Sequence, residues 1–315
     1  MKKTIFFAVS IPVAYAIILR MIFGINSWNE LFSVMSVTFL FLLPTIVGIL
    51  TVFLSPPEQA SNTAYKIVAP WIPVFLFLIV TIIFEIEGWA CWIMILPIFL
   101  VAASFGGMIG GYLKKRKMDG KLHMTILTLL PLFISPMENA IETIPGTYEA
   151  YTFIDIDAPA EKIWNHVTRV KEISSEEDTG YLTRALGLPR PIKAELNFEG
   201  VGAYRKAIFT RGLVFHETVT EYKDNEKMVF TIKAFPHEIP STTLDEHISI
   251  GGNYFDVLHG TYRLEKRSNG LHRLHLYSRF KMNTTFNFYA GWWAKWIMSD
   301  IQNNILQIEK RRSEG

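Results

Sequence analysis

The residues that could bind or transform a small molecule lie on predicted strands of the C-terminal half. Apolar and polar residues alternate there, so one set of polar side chains should point inward with the apolar ones. An inward arginine and its carboxylates lose hydration energy unless they pair, so we expect them to hydrogen-bond to one another. They either neutralise each other or orient the polar head of a ligand whose apolar body lies against aromatic walls. The predicted ligand-binding residues are Arg205, Glu217, Glu221, Tyr254, Asp256, Tyr262 and Ser278.

Two hairpins set this strand parity. Ser268-Asn269-Gly270 is typical of a three-residue hairpin loop with glycine in the left-handed conformation. A second hairpin turns near Arg211-Gly212, and its predicted register places Arg205 diagonally between Glu217 and Glu221. The first loop predicts the pairs Leu264–Leu274, Tyr262–Leu276, Gly260–Ser278 and Leu258–Phe280, and points His259, Arg263, His275, Tyr277 and Arg279 outward.

Patterns of other chemistries are missing from the sequence. It holds no G-x-S-x-G elbow, no P-loop and no dinucleotide-binding glycine pattern. Cys91 is the only cysteine, which excludes a cysteine zinc cluster. It lies in a predicted membrane helix, which excludes a cysteine nucleophile. His237-Glu238 and Asp245-Glu246-His247 lie on a proline-rich connection without metal-site spacing, so we predict exposed loop polarity there. We therefore predict no metal and no cofactor, and the net charge of +2 does not indicate a nucleic-acid partner.

The distribution of charge divides the chain into two parts. Residues 1–113 hold only 8 of the Asp, Glu, Lys and Arg side chains, whereas residues 114–315 hold 52. A wholly soluble chain is excluded by this split, and the high apolar content excludes intrinsic disorder. We predict a membrane domain over 1–140 with four or five transmembrane helices, and a second domain over 147–315.

Three uncharged segments are long enough to cross a bilayer, at 31–54, 67–84 and 88–113. Residues 4–23 form a less uniform span, in which we expect Arg20 to snorkel toward the interface as an anchor. Lys2, Lys3 and Ala14-Tyr15-Ala16 also resemble a cleaved signal peptide, but the apolar stretch continues past that site and favours a retained helix.

The side of the membrane on which the second domain lies depends on a fifth, shorter segment at 124–137. The basic cluster Lys114, Lys115, Arg116, Lys117 and Lys121 predicts a cytoplasmic loop before it. If the segment crosses, which we favour, the domain lies outside the cytoplasm; otherwise it is cytoplasmic. The glycine-rich stretch 106–111 permits close helix packing and, weakly, a homodimer. The chain is thus predicted to be an integral membrane protein, of a bacterial inner membrane.

The second domain has the order strand, short helix, several antiparallel strands and a long C-terminal helix. Residues 154–164 (IDIDAPAEKIW) run from a strand into a helix that Asp157 could cap, and Gly200-Val201-Gly202-Ala203-Tyr204-Arg205 enters another strand. The closing helix near 286–311 carries Ile297, Ile301, Ile305 and Ile308 in one stripe. Over about 147–312 the chain resembles the START-related helix-grip superfamily, in particular its polyketide cyclase/dehydrase and lipid-transport branch.

This resemblance implies an α+β helix-grip domain, in which a curved antiparallel sheet surrounds the C-terminal helix and encloses a cavity for an apolar ligand. Some members are catalysts and many only bind, and no universal catalytic motif carries over to this chain. Three functions follow as hypotheses. We favour a membrane-tethered binder of a lipid or other hydrophobic small molecule, with the bilayer as its second partner. The alternatives are a cyclase- or dehydrase-type enzyme that uses Asp256 or Glu217, and a structural or partner-binding module.

Overall fold

The chain forms two units. The computed structural model describes residues 2–28, 31–116, 120–141, 145–235, 252 and 254–315. One unit contains Met1–Ile144 and Thr284–Phe286, and the other contains Pro145–Asn283 and Asn287–Gly315. The first is a helical region with apolar helices, and the second is a curled antiparallel sheet with a long C-terminal helix. The predicted fold class, membrane-type helices followed by a helix-grip domain, is confirmed.

Three helical segments of the first unit are long and apolar enough to cross a membrane, namely Thr4–Phe23, Thr63–Ile83 and Trp89–Lys115. The predicted span 31–54 is shorter than expected, because its helical part is Thr38–Leu54 and begins with a π-helical turn, Thr38–Leu42. The helices are α1 (Lys2–Phe23), α2 (Leu43–Leu54), α3 (Pro57–Ser61), α4 (Thr63–Val68), α5 (Trp71–Ile83), α6 (Trp89–Lys115) and α7 (Gly120–Ala140).

The glycines of α6 are used for packing inside the chain. A Cβ atom on Gly106 would overlap the backbone of Thr45, and one on Gly110 would press against the backbone of Ile49, both facing α2. A Cβ atom on Gly107 would overlap the carbonyl of Lys66 in α4. These glycines therefore bring helix backbones of one chain together. The stretch from which we predicted a homodimer is occupied by the chain's own helices, and the dimer stays an untested prediction.

Arg20 binds to the connection between two helices of the first unit. Its side chain is buried and forms an ion pair with Glu87, in the connection between α5 and α6, and donates a 3.0 Å hydrogen bond to the carbonyl of Ile86. This pair joins the end of α1 to the end of α5. At the opposite end of the helices, Lys114 donates to the carbonyl of Phe53 in the last turn of α2 and to that of Ser55, which follows the helix.

The second unit is built on one sheet. Its strand order is β1-β7-β6-β5-β4-β3-β2, and every neighbouring pair is antiparallel. Successive strands pair along the chain from β2 to β7, and β7 closes back on β1. The strands are β1 (Gly146–Ile156), β2 (Pro191–Leu196), β3 (Tyr204–Phe209), β4 (Val214–Lys223), β5 (Lys227–Lys233), β6 (Phe255–Lys266) and β7 (His272–Met282).

Three helices accompany the sheet: α8 (Ala160–Thr168), α9 (Tyr181–Ala185) and α10 (Asn287–Glu314). The predicted apolar face of the first is confirmed, because Ile163, Trp164 and Val167 are all buried. The prediction that Asp157 caps α8 is wrong, since the helix begins at Ala160 and Pro159 occupies the N-cap position. Leu306 of α10 joins these residues in the main core, with side chains from β4, β5, β6 and β7.

Candidate functional site

A buried ion pair lies inside the second unit, on the face of the sheet that carries the core. Arg205 of β3 is paired across the strands with Glu217 of β4, and the guanidinium Nη1 lies 2.5 Å from a carboxylate oxygen. Each residue is only 4 % exposed. The predicted face is therefore right, but the register is two residues off, because Arg205 lies directly opposite Glu217 and Ala207 opposite Phe215.

The turn explains this shift in register. Arg211 and Gly212 adopt positive φ angles of 62° and 84°, and the amide of Phe209 donates to the carbonyl of Leu213. The chain thus reverses immediately after β3, in a tighter loop than the one we expected.

Arg205 also ties the sheet to a helix end. Its Nε donates to the carbonyl of Thr168 at 3.3 Å and its Nη2 to that of Val167 at 3.4 Å, and both carbonyls belong to the last turn of α8. Carbonyls at a helix C-terminus lack partners within the helix and carry partial negative charge, which favours a cation. Burial alone would lower the pKa of Arg205, but the charge of Glu217 outweighs it and holds the pKa above its usual value. The guanidinium therefore stays protonated.

Aromatic rings cover this cation. Its guanidinium carbon lies 5.5 Å from the ring centre of Phe230 in β5 and 6.0 Å from that of Tyr262 in β6, and the two rings stack at 6.0 Å. Tyr262, predicted to point inward, is 3 % exposed, and burial raises the pKa of its hydroxyl. Such rings attract a cation through their faces and present flat apolar walls to anything beside it.

The residue that sequence reasoning missed is Glu309 of α10. Its side chain is fully buried, and neither carboxyl oxygen has a hydrogen-bond partner among the described residues. Burial raises its pKa to about 8, against the opposing charges of Arg205 and Arg312. Ser313, one turn further on the same helix face, is buried too, and its hydroxyl is likewise unpartnered in the described structure.

Charge balance explains why Glu309 keeps its proton. Burial raises the pKa of Glu217, but the adjacent Arg205 opposes that rise and favours the charged carboxylate. One cation near two carboxyl groups leaves the interior neutral when one of the two is protonated. Because Glu309 has no hydrogen-bond partner in the part of the chain that the structure describes, it is the group that stays neutral near pH 7. A neutral carboxyl group can both donate and accept a hydrogen bond.

Ser278 has a different environment. Nε2 of Gln302 in α10 donates to the Ser278 hydroxyl at 2.8 Å and to the carbonyl of Ala150 at 3.1 Å, while Thr152 donates to Oε1 of Gln302 at 3.1 Å. This network links α10 to β1 and β7, and its groups satisfy one another. Ser278 faces inward as predicted, but its contacts are those of a structural residue.

Glu221 does not face inward. The pairing of β4 with β5 shifts register between Val219 and Glu221, which indicates a β-bulge, and the extra residue moves the following side chains to the other face. Glu221 is therefore exposed and pairs with Lys227 at 2.8 Å. Tyr222 takes its place inside, where its hydroxyl accepts a 3.0 Å hydrogen bond from the indole of Trp164.

A second bulge corrects the prediction for Asp256. The pairs Leu264–Leu274, Tyr262–Leu276 and Gly260–Ser278 form as predicted, but Val257, and not Leu258, then lies opposite Phe280. The register shift between Val257 and His259 reverses the parity at the start of β6. Asp256 pairs with Lys281 across the strands and is partly buried, and this burial raises the pKa of its carboxyl. It does not share the face of Arg205. Tyr254 precedes β6, and its inward orientation stays a prediction.

The outer face of the sheet carries a shallow open depression of about 370 Å³. Its lining follows the outward parity of the strands, and it lies on the face opposite Arg205 and Glu309. No unpartnered buried group lines it among the described residues, so we place the candidate site in the interior. The lining residues are Glu149, Thr220, Val229, His259, Thr261, Tyr277 and Arg279.

Metal ligands do not cluster in the described part of the chain, where no group of three or more His, Cys, Asp or Glu side chains could hold an ion. The two candidate clusters of the sequence, His237-Glu238 and Asp245-Glu246-His247, lie outside the described residues. The candidate site is therefore the interior set formed by Arg205, Glu217, Tyr262 and Glu309, which we call the interior polar cluster.

Comparison with known proteins adds no functional assignment. No family model and no curated protein matches the chain. Solved structures that resemble it include protein MLL2253 from Mesorhizobium loti, with 17% sequence identity, a TM-score of 0.30 and coverage of 52% of this chain and 98% of the other. An uncharacterized protein from Rhizobium leguminosarum has 13% sequence identity, a TM-score of 0.31 and coverage of 54% of this chain and 99% of the other. Ara h 8.0201 has 12% sequence identity, a TM-score of 0.31 and coverage of 53% of this chain and 98% of the other. At these TM-scores, the fold assignment rests on the chain's own sheet order and C-terminal helix.

A signal for Glu309 was present in the sequence. Gln302, Leu306, Glu309 and Ser313 are spaced by four, three and four residues and form one face of α10, and all four are buried. The predicted isoleucine stripe lies beside this face: Ile308 is buried, whereas Ile297, Ile301 and Ile305 are partly buried. Sequence reasoning chose the apolar stripe as the buried face because a buried, unpaired carboxyl is rare.

Proposed function

We propose that this protein is a membrane-tethered binder of a lipid or another hydrophobic small molecule, held between the sheet and α10. The observation that carries the proposal is the fully buried carboxyl of Glu309, which has no hydrogen-bond partner among the described residues and interacts electrostatically with Arg205 of the buried ion pair. An unsatisfied polar group in an apolar interior costs free energy, and a ligand whose polar head supplies the missing hydrogen bond would recover it.

The chemistry of the interior polar cluster defines the ligand that would fit. Phe230 and Tyr262 offer apolar walls, and a protonated Glu309 offers one donor and one acceptor. A ligand with an apolar body and a hydroxyl, carbonyl or protonated carboxyl head fits both the aromatic walls and the carboxyl group of Glu309 without adding charge. A permanently anionic head would have to compete with Glu217 for Arg205.

The membrane arrangement supports a domain placed outside the cytoplasm. Glu138, near the end of α7, accepts hydrogen bonds from the amides of Val37 and Thr38 at 2.6 and 2.9 Å, at the start of the apolar segment Thr38–Leu54. The other end of that segment is held by Lys114, just before α7 begins. The 21 residues of α7 extend for about 30 Å, the thickness of a bilayer core. This geometry favours α7 as a further span.

A reporter fusion tests this topology. By the positive-inside rule, the basic residues Lys114, Lys115 and Arg116 favour a cytoplasmic position for the end of α6. A reporter that is active only outside the cytoplasm, fused after Gly315, should therefore be active. Activity of a cytoplasm-only reporter at the same position would contradict the proposed side. The proposed location is the inner membrane of a bacterium.

Mass spectrometry of bound molecules tests the binding function. The full chain is purified in a mild detergent and extracted with solvent, and small molecules are compared between wild type, Glu309→Gln and Glu314→Gln. Glu314 is an exposed carboxyl on the same helix and serves as the control. We expect one apolar compound in near-stoichiometric amount with wild type and Glu314→Gln, and much less with Glu309→Gln. An equal content in all three proteins would refute the role of Glu309, and empty wild-type protein would favour a structural module.

One observation favours a catalytic second candidate. The pKa of about 8 makes Glu309 able to give and take a proton near neutral pH, as general acid–base catalysis requires. If the bound compound is converted by wild type, and Glu309→Gln binds it without conversion, the protein is an enzyme of the cyclase or dehydrase kind.

A further inference from the structure

Large aromatic side chains line one exposed face at the start of α10. Phe288, Trp292 and Trp296 are spaced by four residues, which places them on the same side of the helix. They are 71, 56 and 46 % exposed, and the indole rings of Trp292 and Trp296 lie 5.4 Å apart. Trp293, by contrast, is buried at 9 %. An exposed contiguous apolar patch of this kind marks an interaction surface.

The chain enters this helix from the membrane-type unit. Residues 284–286 belong to the first unit by their contacts, and α10 begins at the next residue, Asn287. The hydroxyl of Thr285 donates to the carboxylate of Glu138 at 2.5 Å and accepts a 3.1 Å hydrogen bond from the amide of Val37. Thr285 is therefore fixed at the level where the apolar segment Thr38–Leu54 begins, which is where a bilayer core would end.

The rise of the helix limits how far the aromatic side chains can lie from its first residue. With a rise of about 1.5 Å per residue, Trp292 lies about 8 Å and Trp296 about 14 Å along the axis from Asn287. The polar interfacial layer on each side of a bilayer core is several ångströms thick. Tryptophan is enriched in this layer because its ring is apolar and its indole N–H is polar.

We propose that Phe288, Trp292 and Trp296 form a lipid-docking face that inserts into the bilayer interface on the side of Glu138. The partner is the lipid surface itself, since the chain enters α10 directly from residues 284–286 of the unit that carries the apolar segments. Lys295, exposed between the two tryptophans, can extend to a lipid phosphate while its stem stays along the apolar surface. The docking face is independent of the interior polar cluster, and it anchors the first turns of α10 at the membrane.

Quenching measurements on the full chain test the proposal. In a Cys91→Ser background, single cysteines replace Trp292, Trp296 or Phe288, and each is labelled with an environment-sensitive fluorophore. Asn303→Cys and Gln307→Cys, at exposed polar positions two to three turns further on the same helix, are the matched controls. The proteins are reconstituted in phosphatidylcholine–phosphatidylglycerol vesicles with and without a nitroxide lipid labelled near the headgroup.

The expected result is at least a severalfold stronger quenching by the nitroxide lipid at 288, 292 and 296 than at 303 and 307. Quenching by aqueous iodide should show the opposite order. Equal quenching by iodide at all five positions would overturn the proposal, because the face would then lie in water. Protection from both quenchers would also overturn it, since the face would then be covered by protein. Three label positions guard against a single variant that fails to fold.

Discussion

Replacing Glu309 with glutamine removes an ionisable group from the interior and keeps its size and hydrogen-bonding capacity. In the unfolded chain this carboxyl has its ordinary pKa of about 4.5, whereas burial raises the pKa in the folded protein to about 8. Between these two values, the folded protein binds a proton that the unfolded chain releases. The free energy of unfolding must therefore fall as the pH rises through this range.

The size of the effect follows from the two pKa values. One pKa unit corresponds to about 1.4 kcal/mol, so the raised pKa of Glu309 costs the folded protein roughly 5 kcal/mol of its free energy of unfolding well above pH 8. At pH 7 the cost is roughly 3 kcal/mol. Below a pH of about 4.5 both states are protonated, and the contribution vanishes. Glu309→Gln should thus gain roughly 4 kcal/mol relative to wild type between about pH 5 and pH 8.

Urea unfolding of the full chain in detergent measures this difference, with pulse proteolysis to follow the second unit at several pH values. Other groups also contribute to the pH dependence. Hydrogen bonds from Arg312 lower the pKa of Glu177 to about 2, and this stability is lost only as the pH falls below the ordinary value of 4.5. The contribution of Glu177 therefore changes below the range from pH 5 to pH 8, and within that range the difference between the two proteins reports on Glu309.

Glu314→Gln is the control, because Glu314 is an exposed carboxyl on the same helix and its variant should differ from wild type by a constant few tenths of a kcal/mol. Infrared spectroscopy gives an independent measurement, since the carbonyl band of a protonated carboxylic acid should be present at pH 7 and absent from Glu309→Gln. A stability difference between Glu309→Gln and wild type that stays constant from pH 5 to pH 8 would refute the reasoning.

Two further predictions concern Arg205 and Gly106. Arg205→Ala leaves Glu217 and the last carbonyls of α8 without their donor, and should lower the free energy of unfolding, measured by urea titration, by about 3 to 5 kcal/mol. The double variant Arg205→Met, Glu217→Leu should recover most of this loss, and a double variant no more stable than Arg205→Ala would contradict the prediction. Gly106→Leu forces a side chain against the backbone of Thr45 and should weaken the packing of α2 on α6 by at least about 1 to 3 kcal/mol. Circular dichroism during unfolding in sodium dodecyl sulfate measures this loss, with Met108→Leu at an exposed position as the control, and equal resistance of both variants to the detergent would contradict the prediction.

The sequence determined those features that depend on local chain properties. The shortage of charge before residue 114 predicted the apolar helices, because a lipid-facing segment must exclude charge along its whole length. The buried face of α8 followed from the spacing of Ile163 and Val167, since a helix places such residues on one side. The hairpin at Gly270 set the register of β6 and β7 from its loop as far as Gly260.

Parity failed at the two β-bulges. The bulges at Val219–Glu221 and Val257–His259 reverse the faces of the strand residues beyond them, which is why Glu221 and Asp256 were assigned to the wrong side. A bulge arises from the curvature that lets the sheet wrap around α10, and alternation along one strand does not record it. The two-residue shift at Arg205 likewise came from a turn whose tightness depended on the pairing of both strands.

Only the tertiary structure decided which groups became partners. The glycines of α6 predicted close packing, but the choice between a second chain and the chain's own α2 and α4 required the assembled helices. Glu309 is an ordinary carboxyl on an amphipathic helix until the sheet closes over it. Its burial, its raised pKa and its place beside Arg205 are properties of the long-range contacts between α10 and the strands, and local sequence preferences contain no record of those contacts.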